Sequence, residues 1–298
     1  MPQTLAQKIL QAHTDDVIER DGQIVQCRLS LVLANDITGP LAIKSFKGMG
    51  ASRVFDKDKI ALVMDHFTPQ KDIASANQVM ISRQFAQEQG ITHYYEGGDC
   101  GVEHTLLPER GLVGPGDVVI GADSHTCTYG GIGAFATGMG STDIAAGMAL
   151  GETWIKVPPT IRVNINGQMP KWLRGKDLML LLIKTIGVDG ALYKALEFGG
   201  SVIDALPVEG RLTMANMAIE AGGKVDIDVT GQEPVVACPH LPSNVKNVSE
   251  LKDLSVQQVV VGSCTNGRIS DMRDAAEILR GRKVAKGVRC IVIPATQA

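Results

Sequence analysis

The sequence predicts an α/β protein built on mostly parallel sheets. Three observations predict it. Short runs rich in β-branched residues alternate with helical patterns along the chain, the order that yields parallel strands covered on both faces. The runs at 59–64, 117–121 and 259–261 each stop at polar, chemically capable residues, as strands do at the ligand-binding edge of an open sheet. Glycine is plentiful, 33 residues in 298, which suits many tight βα turns and close backbone approaches.

Taken in order, residues 4–20 read as a helix with Leu5, Ile9 and Leu10 on one side. Val25 to Ala34 reads as one strand, broken by the polar stretch from Asn35 to Pro40. Lys59 to Met64 is a second strand. Thr68-Pro69 offers an N-cap followed by proline at the first helical position, for a helix that Gly90 stops. Asp117 to Gly121 is a third strand, followed by a glycine-rich passage and a small-residue helix reaching Leu150. Gly131-x-Gly133-x-x-Ala136 imitates a dinucleotide fingerprint, but His125 to Tyr129 stands where that turn should be immediate. Pro158-Pro159 marks a boundary. Ile161 to Ile165 alternates as a half-exposed strand does, and Lys176 to Ile186 is an apolar helix. Ala191 to Ala205 reads as helical, interrupted at Gly199-Gly200, and Thr213 to Ala221 as a further helix. A second boundary falls near Pro239 to Pro242. The last unit is a buried strand (259–261), a helix (271–280) with Met272, Ala275, Ala276 and Leu279 in one buried stripe, and a strand (288–293).

Composition excludes several classes. Charged residues are 20% and net charge is −3, with no basic run, so nucleic-acid binding by phosphate neutralisation has no footprint. The longest apolar run, Leu178 to Ile183, is too short to span a bilayer, and the N-terminus has no signal-peptide pattern. Six scattered cysteines without a CxxC argue against a disulfide scaffold or a zinc ribbon and fit a cytoplasmic protein with reduced thiols.

Three strand ends carry candidate chemistry: Asp65-His66, Asp123-Ser124-His125 and Cys264-Thr265-Asn266. In one parallel sheet such ends share an edge, so the three are expected to converge. His104 is a fourth candidate, and Asn216 and Glu220 share a helix face at i, i+4. Each has a bland alternative: Asp65-His66 a turn, Asp123-Ser124 a helix cap, Asn216 and Glu220 a solvated face, Cys264 a core thiol. The repeated pairing of carboxylate with imidazole favours chemistry, because a carboxylate acceptor raises an imidazole's pKa and fixes its tautomer, suiting it to general acid work.

Four stretches, Val63-Met64-Asp65-His66, Gly121-Ala122-Asp123-Ser124-His125-Thr126, Gly210 to Glu220 and Gly262-Ser263-Cys264-Thr265-Asn266, resemble the aconitase superfamily in matching order. The resemblance covers essentially all 298 residues and is nearest the separate large subunits that isomerise malate-type hydroxy acids, isopropylmalate dehydratase and homoaconitase among them. It implies α/β/α layers with mostly parallel sheets in three subdomains, 1–157, 158–238 and 239–298. It implies a 4Fe–4S cluster held by three cysteines, with Cys264 the first, and an open iron that binds substrate. It pairs Asp65 with His66, Asp123 with His104 and Glu220 with His125. His66 would protonate the departing hydroxyl. His104 and His125 would meet oxygens at the iron or the substrate carboxylate. Ser124 would contact substrate, and Asn216 would lie near the cluster.

The chain also departs from the family. The CxxC that supplies the other two ligands, and the later arginine segment that grips substrate carboxylates, are not among the 298 residues. A truncation there, or a cluster-free form with its metal loops disordered, is therefore expected, and a segment is expected to be missing near 224–227. Pro40 stands where aconitase proper carries a substrate-contacting glutamine after Asp36-Ile37-Thr38, which argues against citrate. The swivelling fourth domain is expected on a separate small subunit, in a heterodimer or heterotetramer.

The expected function is a hydro-lyase large subunit interconverting 2-isopropylmalate and 3-isopropylmalate by dehydration and rehydration, in leucine biosynthesis. Homoaconitase or 2,3-dimethylmalate dehydratase is the alternative within the class, and Asp65-His66-Phe67-Thr68-Pro69 leans toward the archaeal-type subgroup in which these activities mix. A hydrolase holding a divalent ion on the His/Asp cluster is the alternative from another class. An RNA-binding role is a third, opposed by the acidic charge.

Overall fold

A computed structural model describes residues 3–188, 191–220 and 225–297, with Ile219 and Glu220 described by backbone alone. The chain divides into two compact units: Met1–Val157 with Ala295–Ala298, and Pro158–Pro294.

The first unit opens with α1 (Leu5–Ala12), closed by a reciprocal cap between Thr4 and Gln7. The helix stops at His13 rather than near residue 20. The Thr14 hydroxyl accepts from the Asp16 N–H, a local turn that competes with helix. The strand expected over 25–34 is two strands. β1 (Ile24–Arg28) alternates in burial and β2 (Leu31–Asn35) is buried throughout. The change of pattern marks a half-exposed strand giving way to one covered on both faces. A helix absent from the sequence reading, α2 (Gly39–Gly48), follows with Pro40 in its first turn. β3 (Ile60–Val63) leads to α3 (Ile73–Gln89), which Asp72 caps. Thr68 does not cap it, because its hydroxyl donates to the Met64 carbonyl. Gly90 ends α3 in the left-handed region. Then come β4 (His93–Tyr95), α4 (Glu103–Glu109), β5 (Val118–Gly121), a 3-10 turn over Ser124–Ile132, β6 (Phe135–Gly138), α5 (Ser141–Leu150) and β7 (Glu152–Lys156). β6 was hidden in the sequence by the glycine-rich passage.

β1 and β7 pair antiparallel. The central sheet is parallel throughout, in the order β4-β3-β2-β5-β6. The chain winds outward from β2 to one edge and then from β5 to the other, so the winding reverses between β2 and β5. Successive residues serve opposite cores. Val32, Ile60, Leu62, Val118 and Ile120 pack with Phe46, Phe85 and Met148 on one face. Leu31, Leu33, Ala61, Val63 and Val119 pack with Leu107 and Tyr129 on the other.

The second unit begins with β8 (Thr160–Asn166), alternating as expected, and α6 (Gly175–Ile186). β9 (Ala195–Gly199) is a strand where the sequence suggested helix. It pairs with β8, and Gly200, at φ 103°, turns the chain into α7 (Ser201–Ala205). α8 (Val208–Asn216) tightens into a 3-10 turn at Met217–Glu220, so Asn216 and Glu220 do not share an α-helical face. β10 (Val225–Asp228) completes a parallel sheet in the order β10-β8-β9. β11 (Val235–Ala237) and β12 (Val245–Asn247) form an antiparallel pair. β13 (Gln258–Val261), α9 (Ile269–Leu279) and β14 (Arg289–Val292) form a two-stranded parallel unit. The expected burial is not met there. Val259 and Val260 are exposed, and no residue of α9 is fully buried.

Candidate active site

The carboxyl ends of β2, β3 and β5 meet at the reversal of winding, where open α/β sheets bind ligands. β3 delivers Asp65-His66, and β5 delivers Asp123-Ser124-His125. By the same rule β2 delivers Asn35-Asp36, which the sequence reading treated as a strand break and, at Asp36, as a landmark for Pro40, not as site residues. Cys264 follows β13, which belongs to the second unit's own two-stranded sheet, so the third strand end does not lie on this sheet edge.

Asp36 is fully buried and takes the backbone N–H groups of His66 and Phe67 on its two oxygens, at 3.0 and 2.7 Å. It thereby fixes the loop that presents His66. One Asp65 oxygen accepts from His66 Nδ1 at 2.7 Å, and the other accepts from the Glu103 N–H at 2.7 Å. Val102 gives α4 no side-chain cap, so Asp65 supplies one from β3. The Val102 N–H itself donates to the carbonyl of Ala295 at 2.7 Å.

Asp123 is the hub. Its Oδ1 accepts from His104 Nε2 at 2.9 Å and from the His125 N–H at 2.7 Å, with His125 Nδ1 at 3.5 Å. His66 Nε2 stands 3.6 Å from Oδ2. The Ser124 hydroxyl lies 3.3 Å from His125 Nδ1. Two close approaches hold the Asp123 corner. A Cβ on Gly121 would fall 2.1 Å from Thr126 Oγ1, and one on Gly138 would fall 2.5 Å from the Asp123 carbonyl.

Exposure separates the imidazoles. His66 and His125 side chains are 33% and 39% exposed, whereas His104 is 2% exposed. His66 and His125 can reach a ligand. His104 stands behind them, edge-on to the Tyr129 ring, with Nδ1 buried and without a hydrogen-bond partner among the described residues. The carboxylates of Asp123 and Asp65 raise the His66 imidazole to about 11 against the opposing effect of burial. His66 is therefore an imidazolium at neutral pH, an acid with a proton to give. Burial works to raise the Asp123 carboxyl, but hydrogen bonds from His104, His125 and His66 outweigh it and hold it well below the ordinary range.

Glu103, also missed by sequence reading, is 1% exposed beside this hub. Its Oε1 accepts from Asn35 Nδ2 at 3.3 Å and lies 3.6 Å from His104 Nε2. The signal that could have found it is its place beside His104. Glu220 was expected to pair with His125, but its side chain lies outside the described residues. The expected gap at 224–227 falls partly outside them too, with Val225–Asp228 in β10.

Two trios among the described residues bring donor atoms to chelating distance: Asp36, Asp65, His66 and Glu103, His104, Asp123. Within them, hydrogen bonds join His66 to Asp65 and His104 to Asp123. Neither trio includes Cys264.

In the second unit Cys264 sits in a loop that only glycine could begin. Gly262 lies at φ 138°, and a Cβ there would fall 2.2 Å from the Ile293 carbonyl. Ser263 Oγ accepts from the Asn266 N–H at 2.9 Å, and Asp271 takes the Gly267 and Arg268 N–H groups at 3.0 Å each. Asn216 accepts from the Thr265 hydroxyl at 2.7 Å, and the Thr213 hydroxyl donates to the Thr265 carbonyl at 3.1 Å. α8 thus braces the residue next to the thiol. Cys264 is half-buried and not in a disulfide, with Thr265 Oγ1 at 3.9 Å from its sulfur. It fits as one soft ligand on a rigid loop, and the described residues group no second ligand with it.

The aconitase family (aconitate hydratase) matches residues 7–233 and 235–298. A 3-isopropylmalate dehydratase large subunit from Desulfovibrio desulfuricans is 76% identical over 333 aligned positions, covering 99% of this chain and 79% of the relative. One from Nitratidesulfovibrio vulgaris is 66% identical, covering 99% and 79%, and one from Moorella thermoacetica is 53% identical, covering 100% and 79%. Since 333 positions exceed 298 residues, at least 35 positions within the first match have no residue here. With a family match along nearly its whole length and relatives this similar, the chain belongs to the aconitase family.

Proposed function

We propose that the chain is the large subunit of a 3-isopropylmalate dehydratase, a hydro-lyase that interconverts 2-isopropylmalate and 3-isopropylmalate in leucine biosynthesis. The observation that carries the reading is the 76% identity to a protein of that name over 99% of this chain. No helix among the described residues is long and apolar enough to cross a membrane. We assign the protein to the cytoplasm on its reduced cysteines.

The chemistry is a β-elimination of water followed by re-addition with the hydroxyl on the neighbouring carbon. Hydroxide is a poor leaving group, so the step needs an acid at that oxygen. His66 meets that need, being solvent-accessible, protonated and aimed by Asp65. His125 and Ser124 lie on the open side of Asp123 and suit binding of the substrate's oxygens. His104 is buried and keeps Asp123 in place. Glu220 is assigned to His125, and Asn216 to the support of the Cys264 loop.

A 4Fe–4S cluster with Cys264 as one of its ligands would supply a Lewis acid for the substrate's hydroxyl. A small subunit is the proposed partner, in a heterodimer or heterotetramer, carrying the swivelling domain, the base that takes the proton from the substrate's neighbouring carbon, and much of the side-chain selection. The division of the second unit at 238/239 is likewise a proposal.

The experiment is side-by-side turnover of isopropylmalate, homocitrate and dimethylmalate by the protein joined to its small subunit and reconstituted anaerobically with iron and sulfide. Preferred turnover of isopropylmalate is expected. Preferred turnover of either competitor overturns the substrate, and a colourless, zinc-loaded active protein overturns the reaction class.

A further inference from the structure

Four carboxyl groups crowd the reversal of winding, and they are not equally served. Asp36 has two backbone N–H donors. Asp65 has an imidazole and a backbone N–H. Asp123 has an imidazole and a backbone N–H, with two further imidazoles near. Glu103 has one neutral donor, Asn35 Nδ2 at 3.3 Å, on Oε1. Its Oε2 is buried and has no hydrogen-bond partner among the described residues. The nearby His104 Nε2–H is already committed to Asp123, at 2.9 Å against 3.6 Å to Glu103. A buried carboxylate with one weak donor and two like charges beside it is the group that takes up a proton.

We propose that Glu103 is a positioning residue whose carboxyl stays neutral, leaving the negative charge of the site to Asp65 and Asp123, which hold the imidazoles of His66 and His104. Were Glu103 ionised, His104 would stand between two carboxylates and Asp65 would face a like charge. Its neutral form fills the space beside His104 and tethers the Asn35 turn without competing for the proton on Nε2. The groups that face it are Asp65 and His66 after β3, Cys100 before α4, His104 on α4, and Asp123 and Tyr129 after β5. Burial keeps the Cys100 thiol, raised to about 12, and the Tyr129 phenol neutral. The direction for Glu103 agrees: burial, then Asp65 and Asp123, hold it well above the carboxylate range.

The protonation state stands on geometry, and only its kinetic consequence rests on the dehydratase reading. Infrared difference spectra of the parent against Glu103→Gln at neutral pH should contain a protonated-carboxyl stretch that the variant loses. If the variant fails to fold, ¹³C-labelled glutamate in the parent should shift the same band. Absence of the band overturns the proposal. In the reconstituted holoenzyme, Glu103→Ala should lower kcat on the order of 10–100-fold, the range for losing a supporting partner. Glu103→Gln should restore most of that, with the acid limb of kcat/KM where the parent has it. A Gln variant as impaired as Ala, or one with a displaced acid limb, overturns the proposal. A band present in a protein that does not dehydrate isopropylmalate leaves the proposal standing and sinks the proposed function instead.

Discussion

Asp65 holds His66 with one carboxylate oxygen and the first N–H of α4 with the other, both at 2.7 Å. One side chain therefore aims the proposed acid and caps the helix that carries His104. The two duties can be separated. Asn caps a helix about as well as Asp but cannot hold an imidazolium by charge. Asp65→Asn should keep thermal stability within about 1 kcal/mol of the parent while kcat falls by roughly 10²–10⁴-fold, the range for disabling a general acid. The alkaline limb of kcat/KM should move toward neutrality, because one of the two carboxylates that raise His66 is gone. An unmoved limb would show that Asp65 serves only the fold.

Glu103 predicts a stability effect with a definite sign. Its folded-state pKa lies well above the ordinary 4.5. The unfolded chain therefore releases a proton above pH 4.5 that the folded chain retains, and stability falls as pH rises from there toward the folded value. Gln carries no such proton. Glu103→Gln should thus unfold at a higher temperature than the parent at pH 7–8, with the gap closing toward pH 4. Thermal melts across that range decide it, and a gap of the opposite sign would mean the folded carboxyl is ionised.

Gly138 packs where a methyl cannot go. Its Cβ would fall 2.5 Å from the Asp123 carbonyl and 3.0 Å from Ser124 Cα, both backbone. Gly138→Ala should cost about 1–3 kcal/mol by overpacking. It should also depress kcat, because the strain falls on the residue that three imidazoles share. Chemical unfolding together with turnover checks both.

Cys264→Ser tests the cluster assignment in isolation. The thiol makes one contact of note, at 3.9 Å to Thr265 Oγ1, so stability of the iron-free chain should change by less than about 0.5 kcal/mol. Visible absorption after anaerobic reconstitution should fall sharply. A variant as brown as the parent would remove Cys264 from the ligand set.

Much of this was legible in the sequence, and the failures have physical causes. Strands covered on both faces announce themselves by continuous apolar runs, so β3 and β5 were found together with the polar residues that follow them. β6 was missed because Gly130, Gly131 and Gly133 lead into it, and this four-residue edge strand, half-buried to exposed, carries no continuous apolar run. The strand over 25–34 was read as one because nothing local marks the switch from a half-exposed to a fully buried pattern. Asn35 and Asp36 look like a breaker dipeptide, and only the sheet order shows that they sit between the strands bearing Asp65 and Asp123. Val259 and Val260 are apolar yet exposed, since residue type records what a strand can bury and not what covers it.

The Asp123 carboxylate gathers His66, His104 and His125 around a single pair of oxygens. The site accordingly has fewer independent parts than residues. Substitutions among the three imidazoles should interact, and double-mutant cycles between any two should depart from additivity. Evolutionary change there must move as a block or not at all, so the corner should drift more slowly than the exposed turns that carry no shared partner.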